Sequence, residues 1–422
     1  MKKDVIGIIG LGYVGLPLAL ALGKKKTVIG FDKNIQRVND LKKGIDINNE
    51  FKKRIKNIKK YVELTSKSSL LSKCNIFIVT VPTPVNKRNL PDLKFLNNAC
   101  KIVGKHIKKN SIFILESTVY PGCVEDYCVP IIEKTSRLKF NKDFFCAYSP
   151  ERVNPGDQKH TIERITKIIS ASNLNTLKIV KNLYKLVTRK LHIAKTIKIA
   201  ESAKVIENIQ RDINIALMNE ISIVLKRMNI SPKEVLDAAS TKWNFLKFSP
   251  GLVGGHCIGV DPYYFTFKAR KIKYEPKVIL SGRSINNHMS KYVFNKILNL
   301  KKKFFGKKKI KILILGIAFK ENISDIRNSQ VIKILKMMKS SDFKIYVHDP
   351  HIDKKKSFLS KKINFLNKLN KKNFFDAIFI GTPHKKIIKI GGKKIKSFCK
   401  QKSFIFDLKS SINKRFIDDS LY

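Results

Sequence analysis

Apolar and polar positions alternate with one rhythm at the two ends of the chain and another in the middle. Residues 5–9 (VIGII) form an apolar run too short for a buried helix, and a glycine cluster bounds it, so it predicts a strand; helical spacing of apolar residues then continues to Leu22. Further strands are expected over 27–31, 76–81, 112–115 and 144–148, with a helix over 93–107. The last three of these runs each give way to a loop of polar, proline or glycine residues: 80–84 (TVPTP), 116–122 (ESTVYPG) and 149–156 (SPERVNPG). In a parallel sheet such loops gather at the carboxyl edge, where these sheets hold ligands.

From about residue 197 the strand pattern gives way to helix, and a second helix is expected over roughly 278–298. The lysine-rich stretch 301–311 predicts an exposed boundary, after which strand-like runs return at 310–315, 344–347, 377–380 and 404–406. No repeat at solenoid period is present. The expected class is α/β, with two doubly wound, Rossmann-like domains (1–197 and 301–422) joined by a central helical domain (198–300).

Composition narrows the picture. With 422 residues and 43% hydrophobic content the chain can bury large cores, and no window offers the ~18 consecutive apolar residues of a membrane span. The N-terminal apolar run enters a glycine motif rather than a cleavage site, so a cytoplasmic location is expected. Seven scattered cysteines without CxxC spacing disfavour a disulfide framework and a zinc site, and no metal is expected. The net charge of +54 invites a nucleic-acid partner. Its lysines, however, spread over the whole length in runs such as 24–26, 301–303, 307–309 and 354–356, together with abundant Ile and Asn, which reads as solvated surface and compositional drift. Neither a specific nucleic acid nor a membrane is expected as a partner.

The first βα turn carries chemistry. Gly10-Leu11-Gly12-Tyr13-Val14-Gly15 is GxGxxG between a predicted strand and helix: one glycine permits the turn, the next lets backbone approach a pyrophosphate, and the third allows close helix–strand packing. Asp32 closes the second strand about 20 residues on, placed to accept ribose hydroxyls and to repel a 2′-phosphate, so NAD is favoured over NADP. Arg37, five residues beyond, is the one feature that speaks for a phosphate.

Two further patterns are chemical. In 248–264 (FSPGLVGGHCIGVDPYY), Cys257 follows Gly254, Gly255 and His256 and precedes Asp261 by four residues; backbone N–H groups freed by glycine can stabilise a thiolate or an oxyanion. The plain alternative is a small buried hydrophobe, as most such cysteines are. On the predicted helix, Glu201, Lys204, Asn208 and Arg211 fall at spacings of 3, 4 and 3, on one face about 80° wide. An anonymous stripe of this kind is a solvated face with an ion pair; beside a nucleophile's loop it can present a lysine to a reacting oxygen.

With these motifs and the loop 316–329 (GIAFKENISDIRNS), the chain resembles the nucleotide-sugar 6-dehydrogenases from end to end. Residues 149–157 (SPERVNPGD), 210–220 (QRDINIALMNE) and 254–264 (GGHCIGVDPYY) look most like the UDP-N-acetylglucosamine and UDP-N-acetylgalactosamine enzymes of capsule and O-antigen synthesis. His256 and the 260–262 sequence Val-Asp-Pro depart from the pattern of the UDP-glucose enzymes. The resemblance implies a four-electron oxidation of C6, with two successive hydride transfers to NAD. Lys204 and Asp261 would manage the proton and developing oxyanion, Cys257 would form a thiohemiacetal and then a thioester, Glu151 would activate the hydrolytic water, and Asn208 would position the reacting oxygen, with Thr118 also in the catalytic set. It further puts Gly10, Leu11, Gly12, Tyr13, Val14, Gly15, Asp32, Arg37, Thr83, Thr118 and Arg327 on NAD. Around the UDP-sugar it puts Glu151, Arg152, Val153, Lys204, Asn208, Phe245, Leu246, Lys247, Gly251, Phe319 and Lys320, with Arg211 as a candidate reader of the N-acetyl group or product carboxylate. The first domain would then bind NAD, the helical domain mediate a homodimer, and the last bind the UDP-sugar.

Rival readings are a two-electron hydroxyacid dehydrogenase, which would need neither Cys257 nor a second α/β unit, and a basic nucleic-acid-binding protein on a dehydrogenase scaffold. UDP-glucose and UDP-N-acetylmannosamine remain alternative substrates, and the choice between the gluco and galacto epimers turns on one hydroxyl that no residue pattern reads. Trp243, the single tryptophan, just precedes the expected sugar loop.

Overall fold

The apolar runs of the first 200 residues become eight strands: β1 (Val5–Ile9), β2 (Thr27–Phe31), β3 (Val62–Thr65), β4 (Ile76–Val79), β5 (Ser111–Leu115), β6 (Phe144–Tyr148), β7 (Thr166–Ala171) and β8 (Lys190–Ile193). They form one sheet in the order β3-β2-β1-β4-β5-β6-β7-β8; β1 to β6 are parallel and β7 runs antiparallel to β6. Helices cover both faces, so the inner strands read as unbroken apolar runs: β1, β4 and β5 contribute Ile6, Ile8, Ile78 and Ile114 to one core, while Phe77 and Phe113 are buried as well. The strands β3, β7 and β8 carry no such unbroken apolar run. The computed structural model describes residues 4–46, 55, 58–153, 161–352 and 363–422; residues 154–156 of the third loop and the lysines at 354–356 lie outside the described residues.

The chain forms two compact units, Met1–Glu207 with Tyr263–Glu275, and Asn208–Pro262 with Pro276–Tyr422. The second is built on β9 (Ile310–Leu315), β10 (Phe343–His348), β11 (Asn364–Phe365), β12 (Phe375–Ile380), β13 (Cys399–Asp407) and β14 (Asp419–Ser420), all parallel, in the order β11-β10-β9-β12-β13-β14. Counted from its first strand, this is the order 3-2-1-4-5-6 that the first sheet also shows in β1 to β6, so both ends of the chain are doubly wound, Rossmann-like folds. The 31-residue helix Ile197–Arg227 runs from the first unit into the second.

At 301–311, residues 302–303 and 306–309 are exposed as expected, but the stretch does not begin as a linker. The helix Lys277–Phe305 continues past residue 300, and Lys301 lies inside it, 3% exposed, with its ammonium 3.4 Å from Asp342 and over the Phe343 ring. Lysine composition signals a solvated linker, but here the helix packs Met289, Val293 and Ile297 onto the second sheet and takes the stem of Lys301 with it. The strand begins directly afterwards, at Ile310.

Both units solve the first βα turn alike. Gly10 has φ +100° and Gly316 has φ +79°; a Cβ on Gly316 would stand 2.0 Å from the Thr382 carbonyl oxygen. In the second unit Asp349, just after β10, accepts hydrogen bonds from Ile317 N–H (2.8 Å) and Ala318 N–H (3.2 Å) and pairs with His384 Nε2 at 3.0 Å, both side chains fully buried. Burial pushes the Asp349 carboxyl up, but His384 and the loop amides outweigh it and hold the carboxyl below its ordinary range. Asp349→Asn is therefore expected to destabilise the protein by roughly 3–5 kcal/mol at neutral pH, as loss of a buried pair does. In the wild type this contribution is present above the unfolded carboxylate value and is lost as pH falls through the depressed one; melting of both proteins between about pH 3 and 7 checks it, and equal stabilities at pH 7 would rule it out.

Candidate active site

The glycine turn after β1 leads into the helix Gly15–Gly23. A Cβ on Gly15 would lie 1.9 Å from Gly10 O, so only glycine fits there, whereas around Gly12 nothing stands within 4 Å. The backbone at Gly12, with Leu11, Tyr13 and Val14 beside it, thus has open space for a pyrophosphate, which is the cradle the dinucleotide needs. Asp32 accepts from Leu11 N–H through Oδ2 and from Asn34 N–H through Oδ1, both at 2.9 Å, which leaves each oxygen a lone pair for a ribose hydroxyl. Arg37 is already engaged: Nε donates to Leu11 O (3.0 Å) and Nη1 to the buried Asp46 (2.7 Å). Its charge is neutralised and its fork braces the fingerprint loop, so the one feature that spoke for a 2′-phosphate turns away from that role.

The loops after β4 and β5 are tied together. Thr83 Oγ1 donates to Thr118 O (2.7 Å), Ser117 Oγ to Val81 O (2.6 Å), and Tyr264 OH to Thr83 O (2.9 Å). Tyr264 belongs to the same 248–264 motif as Cys257, and only its place in that motif marked it beforehand. After β6, Glu151 Oε1 accepts from the N–H groups of Arg152 and Val153, while Arg152 pairs with Glu207 (2.7 Å) and donates to Thr166 O (2.7 Å). Arg152 is thereby held against its own unit, and Val153 packs on the first core.

The helical stripe is not a solvated face. Glu201 is fully buried and accepts from Gly122 N–H and Val124 N–H, and Lys204 and Asn208 are buried too; only Arg211 is exposed. Glu201 therefore fastens the loop after β5 to the helix, a role its place in the stripe did not reveal.

In the second unit Gly255 takes φ +82°, and a Cβ there would meet the Phe319 ring at 2.6 Å; a Cβ on Gly254 would meet Asn328 O at 2.8 Å. The two glycines let the 316–329 loop close onto the cysteine turn. Val260 N–H and Asp261 N–H donate to Cys257 O at 3.0 and 2.8 Å, opening the helix Asp261–Lys271. Cys257 is exposed while the other six cysteines are buried, so the small-hydrophobe reading fails. Asn208 Nδ2 donates to Asp261 Oδ2, which joins two residues 53 positions apart. His256 Nε2 lies 3.4 Å from Asp325, whose carboxylate also receives the Arg327 guanidinium at 2.7–3.1 Å. Burial opposes that ionisation, yet His256 and Arg327 keep the carboxyl far below its usual range. Lys320 follows Phe319 on this loop, half-buried.

In the expected sugar loop, Leu246 and Lys247 are exposed and Phe245 half-buried, whereas Gly251 is clamped at both backbone groups by Asn219: its N–H donates to Oδ1 (2.8 Å) and its O accepts from Nδ2 (3.0 Å). Asn219 is fixed in turn by Asn286, and Asn286 by Asp212, which pairs with Arg283 at 2.6 Å. This buried chain went unread in the sequence, because polar residues at helical spacing look alike whether they face water or one another.

Among the described residues no helix is long and apolar enough to cross a membrane. Residues 4–188 match the NAD binding domain of the UDP-glucose/GDP-mannose dehydrogenase family, residues 198–288 its central domain, and residues 313–414 its UDP binding domain. Protein CapL of Staphylococcus aureus is 46% identical over 413 residues, 97% of this chain and 96% of that protein. The UDP-N-acetyl-D-glucosamine 6-dehydrogenase of Salmonella typhi is 44% identical over 406 residues, 96% of this chain and 95% of that protein. This chain belongs to the UDP-glucose/GDP-mannose dehydrogenase family. Among solved structures of the family, the UDP-D-ManNAc dehydrogenase from Pyrococcus horikoshii matches with a TM-score of 0.87 at 26% identity, covering 99% of each chain. As in other members of the UDP-glucose/GDP-mannose dehydrogenase family, the N-terminal unit is the NAD-binding one.

The Glu201 anchor predicts a pH signature. Burial pushes its carboxyl up to about 8 from 4.5, against the pull of the Val124 and Gly122 amides. The folded state then holds the proton more tightly than the unfolded one, so stability should fall as pH rises from about 4.5 to about 8 and level off above. Thermal melting across that range, with Glu201→Gln as the reference in which this slope vanishes, is the check; parallel curves would reject it.

Proposed function

We propose that this protein is a UDP-N-acetylhexosamine 6-dehydrogenase, which takes C6 of UDP-N-acetylglucosamine from alcohol to carboxylate. The observation that carries the reading is Cys257, the exposed thiol among seven cysteines, set in a glycine turn and followed by an aspartate hydrogen-bonded to Asn208. A two-electron dehydrogenase has no use for such a thiol. The N-acetylglucosamine substrate is supported by relatives named UDP-N-acetyl-D-glucosamine 6-dehydrogenase at 44% identity, against 27–32% for those named for the mannosamine epimer.

NAD, held by the Gly10–Gly15 turn and Asp32, supplies the hydride acceptor. Lys204 and Asp261 handle the hydroxyl proton and the oxyanion that develops at C6, and Asn208 keeps Asp261 and the reacting oxygen in register. The Cys257 thiolate adds to the aldehyde as a thiohemiacetal, and loss of the second hydride leaves a thioester. Glu151 takes a proton from water as the water adds to the acyl carbon; the C–S bond breaks and the thiolate returns. Thr83, Thr118 and Arg327 would contribute to holding NAD, with Thr118 also in the catalytic set. Arg152, Val153, Phe245, Leu246, Lys247, Gly251, Phe319 and Lys320 receive the nucleotide-sugar, with Arg211 toward the N-acetyl or carboxylate group. In this reading residues 1–197 bind NAD, 198–300 mediate dimerisation and 301–422 bind UDP; the enzyme works in the cytoplasm and supplies a uronic acid for surface polysaccharide.

Two NADH per UDP-N-acetylglucosamine are expected, with slower turnover of the galacto, manno and glucose analogues, and Cys257→Ala should lose at least ~10³-fold in turnover, as removal of a nucleophile does. One NADH per sugar, or an active Cys257→Ala, would sink the thioester route. The dimer is supported by a separate observation: Ile199, Ile206, Leu217 and Val224, each 48–50% exposed, share one face of the helix Ile197–Arg227. Leu217→Glu with Val224→Glu should halve the mass measured by light scattering; a wild type already monomeric, or a variant of unchanged mass, would count against this face.

A further inference from the structure

Lys167 is a lysine out of place. In a chain of 86 lysines and arginines it is among the few that are buried, 1% exposed, on β7, where it pairs in parallel register with Leu191 of β8. Its ammonium donates to Glu116 Oε2 (3.0 Å), to Pro150 O (3.2 Å) and to Ser149 O (3.3 Å), and stands 5.1 Å from the centroid of the Tyr184 ring. Tyr184 OH donates to the other Glu116 oxygen, and the Glu116 carbonyl accepts from Glu151 N–H at 3.4 Å. Three consecutive residues, Ser149, Pro150 and Glu151, therefore hang by their backbones from one buried ion pair. All of them lie in the first unit.

A buried ion pair adds little net stability over an apolar pair of the same volume, so stability alone does not explain why this core holds one. Geometry does. The Ser149 and Pro150 carbonyls turn inward beneath the loop, and one ammonium serves both while a carboxylate fixes its position. We infer that Glu116, Lys167 and Tyr184 are positioning residues that set the Glu151 carboxylate for the hydrolytic half of the reaction. The inference rests on the role proposed above for Glu151 as the base that activates water. It separates the two halves chemically: the hydride-transfer steps do not use Glu151, whereas the attack of water on the thioester does.

The test is rapid-mix kinetics of the full-length enzyme with UDP-N-acetylglucosamine and NAD, following NADH by absorbance and the Cys257 adduct by intact-protein mass. Lys167→Met leaves Glu116 buried without its partner, so Lys167→Met/Glu116→Gln, which leaves no lone charge, is measured beside it. The expected result is a fast phase of two NADH per active site, then a steady state slowed roughly 10- to 100-fold, as a displaced catalytic group produces, with the uronyl thioester accumulating on Cys257. A folded paired variant with wild-type turnover and no adduct overturns the inference. So does one in which the fast phase slows as much as hydrolysis, since that marks a merely structural pair. Should the paired variant fail to fold, Tyr184→Phe decides: a smaller slowing with detectable adduct supports the cluster, and unchanged kinetics overturn it. Glu151→Gln is the control for the parent reading. If it accumulates no thioester, Glu151 is not the base and that reading falls whatever Lys167 does; if it does and the Lys167 variants do not, the positioning role alone is lost.

Discussion

Parallel strands end together, and the loops that leave them must turn back over an edge where backbone N–H groups are cut off from water. This protein meets that constraint with carboxylates. Asp32 after β2, Asp349 after β10 and Asp407 at the end of β13 each stand at a strand's carboxyl end and receive loop N–H groups, and Glu116 after β5 receives the Lys167 ammonium and the Tyr184 hydroxyl. A carboxylate offers about four lone pairs in a small volume, so one side chain can fix several donors at once. The loops fixed in this way are those that carry the glycine fingerprint, Glu151 and the Phe319–Arg327 segment.

The same arrangement explains why the chemical residues differ so much in exposure. Lys204, Asn208 and Asp261 are buried, the last two joined by a hydrogen bond, whereas the Cys257 side chain reaches solvent from a glycine-rich turn. A general acid or a hydrogen-bond donor works through orientation, which burial enforces; a nucleophile must meet an incoming carbon, which burial would prevent. Arg37 shows the converse case. It occupies the place where a phosphate-binding arginine would matter, and its pairing with Asp46 converts it into a brace for the turn that it follows.

The alternating apolar runs made the two doubly wound sheets legible, because strands buried on both faces have no choice but to be continuously apolar, and β1, β2, β6 and β9 appear at the bounds their sequences imply. Short or half-exposed strands such as β8 carry no such signature, and composition, which rightly made 302–303 and 306–309 exposed, did not reveal that 301–305 end a packed helix. Spacing alone likewise put Glu201, Lys204, Asn208 and Arg211 on one face without saying what the face met. The structure buries the first three and leaves the fourth outside, and it makes Glu201 an anchor for the loop at Gly122.

What the sequence by itself determined was local: a glycine turn that only a dinucleotide-binding βα unit requires, an acid at the right distance from it, a cysteine between glycines, and the class of fold that strands and helices in this order must build. Contacts between residues far apart in the chain were decided only by tertiary structure. The pairing of Lys167 with Glu116, of Asn208 with Asp261, of Asn219 with Gly251 and of Arg37 with Asp46 depends on which faces the packed sheets and helices turn toward one another. Periodicity reports that a side chain points inward; it takes the assembled core to say what polar partner waits there, because the cost of burying a charge is met only by a group that folding itself brings within reach.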